Sequence, residues 1–125
     1  EIQLQKLFIM LQMTYIGAPM IYYGDEVGMW GGNDPDSRKP MLWPDISYED
    51  ELYLADGSIR DKNDLDKVTI NSDLKKYYQQ LINIRKNHIA LQLGDFKTLL
   101  VNDAKNLYGY EFIAVCYLLG LQYTA

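Results

Sequence analysis

The sequence predicts an α/β protein in which a helix feeds a buried parallel strand that opens into a ligand-facing loop. Three observations carry this expectation. Ile2–Tyr15 repeats apolar residues at helical spacing. Ala18–Tyr23 is almost continuously apolar between Gly17 and Gly24. The stretch from Asp25 to Trp43 is then rich in Gly, Asp, Arg, Trp and Pro. A helix entering a strand buried on both faces is one link of a repeating α/β architecture. The polar loop at the end of such a strand is where these proteins present residues to ligands.

Each element follows from its local pattern. In the first helix Leu4, Leu7, Phe8, Leu11 and Tyr15 recur at steps of three and four, which places them on one face. Ile9, Met10 and Met13 widen the apolar surface, so cover is expected on more than one side, and Gly17 is the expected stop. Pro19 suits the start of a strand, where no ladder donor is required. The long stretch Asp25–Val68 reads as mostly irregular. Trp30, Met41, Leu42 and Trp43 are expected to pack its first half down, whereas Glu49–Lys67 is polar enough to be mobile. Asn71 or Ser72 caps a second helix with Asp73 in its first turn. That helix is expected to run to about Ile89, with Leu74, Tyr77, Tyr78, Leu81, Ile82 and Ile89 on one side. Leu91–Gly94 ends it. Phe96–Val101 and Leu107–Ile113 read as strands around Asn102, Asp103 and Asn106. By content this is two helices, one lone strand and a short hairpin. Phe112–Ala125 carries no charge and follows from neither strand, so it is expected to be foreign to the parent protein, as an out-of-frame tail would be.

Composition limits the function classes. Of 125 residues, 48% are hydrophobic and 23% charged, which fits a globular chain. The net charge of −5 and the scattered bases argue against nucleic acid as a partner, which calls for a basic footprint. Leu7–Gly24 lacks charge and reaches the length of a membrane span, but Gly17, Pro19, Gln12 and Thr14 interrupt it, so no membrane span is expected. The single cysteine, Cys116, cannot form an internal disulfide and reads as a small buried residue. Eleven tyrosines suit either sugar clefts and wet interfaces or ordinary packing. The chain begins at Glu1 rather than Met, so further sequence upstream is expected.

Several side chains are candidates for a site. Asp25 and Glu26 directly follow the strand and serve either as acid/base or orienting groups, or as hydrogen-bond partners of neighbouring loops. Asp34 and Arg38 lie four apart around Pro35. A carboxylate and a guanidinium on one rigid loop can bind adjacent sugar hydroxyls, one accepting and one donating. The same pair could equally be a surface ion pair worth at most about 1 kcal/mol. Trp30 could stack on a sugar ring or anchor its loop. His88, the only histidine, reads as a cover for the last carbonyls of the second helix. No metal-ligand spacing, phosphate loop or Ser/His/Asp set is present, so no cofactor and no metal are expected.

Over GAPMIYYGDEVGM and GGNDPDSRKPMLW the chain resembles the eighth strand and following loop of the alpha-amylase family, glycoside hydrolase family 13, in its neopullulanase and cyclomaltodextrinase-like branch. Leu7–Tyr15 resembles the seventh barrel helix. LKKYYQQLINIRKNHIALQLGDFKTL resembles the eighth helix and its exit into a C-terminal β domain. The likeness covers about Leu4 to Tyr110. It implies the last βα unit of a TIM (β/α)8 barrel (helix 7, strand 8, helix 8) in residues 1–90, and the first strands of a C-terminal β domain, with an atypical tail, in residues 91–125.

The resemblance also implies a function. Asp34 and Arg38 match a pair that contacts a glucose unit on the non-reducing side of the cleaved bond. Glu26 matches a carboxylate near the base of the cleft, and Asp25 stands beside it. Ser37 and Lys39 depart from the branch, which often has Cys and Arg there. The family hydrolyses alpha-1,4 and in part alpha-1,6 glucosidic bonds with retention, using an Asp nucleophile, a Glu acid/base and a second Asp, with two carboxyl groups roughly 5 Å apart. No residue here matches any of the three, and a full barrel takes about 250 residues. The expected protein is therefore a C-terminal fragment that is inert alone, its parent acting on an alpha-glucan or maltooligosaccharide. A non-catalytic alpha-glucan-binding module is one alternative. A partner-dependent barrel fragment, whose exposed apolar surface drives self-association, is another.

Overall fold

The computed structural model describes residues 2–31, 34, 38–54, 56–114, 116–118 and 121–123, the last two stretches as backbone. The chain forms two compact units. One consists of Glu1–Pro19 with Gln80–Ala125, the other of Met20–Gln79. Among the described residues no helix is long and apolar enough to cross a membrane.

In the first unit, helix α1 spans Ile2–Thr14. Its apolar residues are spread over more than one face, so pattern alone does not choose which is covered. The buried residues are Ile9 and Met13, one turn apart, while Leu4, Leu7 and Phe8 of the expected face stay exposed. Past the helix, Gly17 takes a positive φ of 96°, a left-handed turn that costs glycine little. The terminal carbonyls of α1 are not left bare. The Arg85 guanidinium donates to the carbonyls of Met13 at 2.9 Å, Tyr15 at 3.2 Å and Gly17 at 2.5 Å.

Helix α2 spans Ser72–Asn87 and a short α3 spans Ile89–Leu93. Asn71 caps α2, its side-chain oxygen accepting from the Leu74 backbone N–H at 3.0 Å. Leu74, Tyr78 and Leu81 are buried, as their spacing predicts, but Ile89 is exposed because the helix breaks before it. His88 sits in that break. The carbonyls it was expected to cover, those of Arg85 and Lys86, instead accept from the Gln92 amide at 3.1 and 3.0 Å. The break swings α3 back, which brings Gln92 rather than His88 to the end of α2.

Strands β1 (Asp95–Asn102) and β2 (Leu107–Ile113) pair antiparallel, with Phe96 opposite Phe112 and Asn102 opposite Leu107. The register slips between Thr98 and Leu100, leaving Leu99 as a bulge. Asn106 closes the turn at φ 51°, which asparagine tolerates. Phe96, Tyr110 and Phe112 share one face and pack with Tyr15, whose ring lies 5.1 Å from Phe96 and 5.8 Å from Tyr110. Tyr110 also shares a 2.6 Å hydrogen bond with Thr14. Phe112 and Ile113, expected to open a foreign tail, are therefore in-register members of β2. Beyond them β3 (Cys116–Leu118) pairs antiparallel with β4 (Leu121–Tyr123). The expected burial of the Cys116 side chain lies outside the described residues.

The second unit has a small core of Val27, Leu42, Leu74 and Tyr78. Ala18–Tyr23, expected as a strand, forms no ladder here: the strand pairs are β1 with β2 and β3 with β4. A strand is defined by its neighbours, and among the described residues none pairs with this segment. The stretch from Met41 onward is partly pinned. Leu42 is buried, while Trp43 is exposed, its backbone N–H donating to the Tyr48 hydroxyl at 2.7 Å. The polar arm after it folds back on itself through antiparallel bridges between Glu51 and Asp66 and between Tyr53 and Ile59.

Candidate functional site

The motif GDEVG builds a single turn. Asp25–Val27 form a 3-10 helix flanked by Gly24 at φ 94° and Gly28 at φ 76°. Both ends need left-handed backbone, which explains a glycine at each. Val27 is buried beneath the turn, and its carbonyl accepts from the Asn71 N–H at 2.9 Å, tying the turn to the start of α2. Glu26 is half-buried and turns back, its Oε2 accepting from the Gly24 N–H at 2.9 Å. That bond closes the turn on itself.

Asp25 points elsewhere. It lines a cavity of about 180 Å³ with Tyr22, Tyr23, Trp30 and Lys39. Its surface is exposed, yet protein atoms around the carboxyl strip enough water to raise its pKa. A hydrogen bond from the Tyr22 backbone opposes the rise, and the charge of Glu26 adds to it. Tyr23 donates to the Lys39 carbonyl at 2.9 Å. Its phenol is also pushed up, first by desolvation and then by Tyr22, while the positive charge of Arg38 acts against the rise.

Asp34 and Arg38 meet directly at 2.6 Å, with side chains 69% and 62% exposed. They line neither this cavity nor the larger one beside it. Both side chains face water as a preassembled acceptor and donor. Pro35 and Ser37, between them, lie outside the described residues.

Trp30 is engaged by the protein itself. The Lys39 ammonium lies 4.4 Å from its ring centre and the Arg60 guanidinium 5.5 Å. Lys39 pairs with Glu51, and Arg60 with Asp66 at 2.8 Å. Burial alone would raise the Glu51 carboxyl. The Lys39 hydrogen bond, the Tyr53 backbone N–H and the charges of Lys39 and Arg60 outweigh it and hold Glu51 below the usual range. Sequence reasoning offered two roles for Trp30; its ring is in contact with Lys39 and Arg60 and also lines both cavities. Lys39, Glu51 and Arg60 were not singled out, since partners 12 residues apart in an irregular arm leave no periodic signal. Among the described residues no three His, Cys, Asp or Glu gather as a metal cluster would require.

Comparison with known proteins gives a consistent set of likenesses. A family model described as "Alpha amylase, catalytic domain" matches residues 1–94. A cyclomaltodextrinase from Geobacillus thermopakistaniensis (strain MAS1) is 36% identical over 85% of this chain and 14% of its own length. Neopullulanase 2 from Thermoactinomyces vulgaris is 32% identical over 84% of this chain and 14% of its own. A solved cyclomaltodextrinase structure superposes with a TM-score of 0.52 at 39% identity, covering 76% of this chain and 12% of that one. The chain thus spans about one seventh of the length of the cyclomaltodextrinase and the neopullulanase.

Proposed function

The chain belongs to the alpha-amylase family of glycoside hydrolases, and we propose that it carries one rim of an alpha-glucan cleft without the groups that cleave the bond. In this reading residues 1–90 are helix 7, strand 8 and helix 8 of a (β/α)8 barrel, and residues 91–125 begin a C-terminal β domain. Asp34 and Arg38 hold a glucose unit. Glu26 braces the loop beneath them, with Asp25 at its side. The parent protein hydrolyses alpha-1,4, and in part alpha-1,6, glucosidic bonds with retention. Its nucleophile, acid/base and stabilising carboxylate come from residues this chain does not contain.

The observation that carries the proposal is the Asp34–Arg38 contact on an exposed loop directly after the GDEVG turn, inside the segment matched by the family model. A carboxylate and guanidinium already in contact present both hydrogen-bonding senses to a diol without an ordering step. Charged hydrogen bonds contribute about 1.5–3 kcal/mol each. Asp34→Ala in the full-length parent should therefore lower kcat/KM on maltooligosaccharides by roughly 10- to 150-fold. The chain alone should release no more reducing sugar from starch, pullulan or cyclodextrin than buffer does. Turnover by this chain that survives Asp34→Ala would end the proposal.

One observation favours a second form of the same reading, in which the chain completes a barrel in trans. Leu4, Leu7 and Phe8 expose an apolar face on α1, as expected of a helix whose neighbours are supplied by another polypeptide. Co-expression with the remaining barrel should then restore hydrolysis that neither piece shows alone.

A further inference from the structure

A second cavity, of about 240 Å³, lies beside the one lined by Asp25, and Met29, Trp30 and Lys39 line both. The structure assigns to it, we propose, a binding site for a single neutral pyranose, separate from the Asp34–Arg38 rim.

Chemistry and size select the ligand. Trp30, Pro40, Leu42 and Val68 give the cavity an apolar wall. Its charged lining is balanced, with Lys39 and Lys67 against Glu49 and Glu51. A phosphate or a cation would find no net complementary charge there. A neutral ring with an apolar C–H face and a polar hydroxyl edge matches both parts of the lining. Lys39 and Glu51 are bound to each other. Glu49 and Lys67 have no hydrogen bond or ion pair among the described residues, so one acceptor and one donor are left for a ligand. Ligand pockets of drug-sized molecules run to about 300–1,000 Å³. At about 240 Å³ this one suits a single ring, not an oligosaccharide.

The proposal shares with the reading above only the class of ligand, and the test separates them. Of the two tryptophans, Trp43 is exposed and Trp30 lines the cavity. In Trp43→Phe protein the emission therefore reports on Trp30 alone. Titration of the 125-residue chain with glucose should give a saturable emission change at millimolar sugar. Glu49→Ala and Lys67→Ala should each weaken it at least about tenfold while circular dichroism keeps the helical signal of α2. Asp34→Ala should leave it unchanged. The inference is overturned if folded protein shows no saturable change. It is equally overturned if glucose 6-phosphate or glucosamine binds as tightly as glucose, or if Asp34→Ala removes the response. A chain without the helical signal has no such cavity, and that result would overturn it too.

Discussion

Gly94 illustrates how far one missing side chain matters. A Cβ there would lie 2.4 Å from the Ala90 carbonyl oxygen and 3.0 Å from that of Ile113. Both obstacles are backbone, so neither can rotate away. Gly94→Ala should destabilise the fold by about 1–3 kcal/mol, read as a lower urea midpoint. Gly109 is the control, because its added Cβ would meet Leu100 at an ordinary 3.4 Å. Gly109→Ala should stay within about 1 kcal/mol of the native protein. Equal midpoints for the two variants would refute the packing argument. Arg85 works in the opposite sense. Nothing in the sequence singled it out, and the structure gives it three carbonyls of another segment to hold.

Among the elements, the arm from Glu51 to Asp66 depends most on electrostatics. It was expected to be mobile from its polarity, and its backbone bridges and ion pairs tie it beside Trp30. The Glu51 side chain is only 12% exposed, and its carboxyl is held below the usual range. A depressed acid contributes stability that is complete above its unfolded value, about 4.3, and is lost as pH falls through the folded one. Glu51→Gln should therefore cost about 1–3 kcal/mol at pH 7, since it also leaves Lys39 half-buried without its partner. The difference from native protein should shrink as pH falls below the unfolded value and through the depressed folded one. Urea melts across that range decide the point, and a pH-independent difference would show that the ion pair contributes nothing. The hairpin was more legible than the arm. Two apolar runs around the turn residues Asn102, Asp103 and Asn106 indicated β1 and β2 to within a residue or two, because strand composition and turn chemistry are both local.

At the scale of the whole molecule, the governing feature is α1, whose apolar residues outnumber those its own unit covers. Ile9 and Met13 are buried, while Phe8 is 62% and Leu7 55% exposed. Apolar patches of this kind mark interaction surfaces or aggregation sites. The isolated chain should self-associate. Replacing Leu7 and Phe8 together by Glu should shift the light-scattering mass toward that of one chain, with helix content retained. An unchanged mass would place the contact elsewhere. The same shortage of neighbours accounts for Ala18–Tyr23, whose composition is that of a buried strand but which joins no ladder among the described residues. Composition records the environment a segment is suited to, whereas a ladder exists only where partners are present.

By itself, the sequence determined what is encoded locally: a helix start capped at Asn71 or Ser72, the β1–β2 hairpin and the family to which the chain belongs. Tertiary structure alone decided which face of α1 is covered, that Gln92 rather than His88 closes α2, and that Trp30 lies beside Lys39 and Arg60. The physical reason is range. Caps, turns and strand period arise from neighbours along the chain, but burial and ion pairing arise from neighbours in space, which a helix apolar on more than one face and an arm without period do not specify.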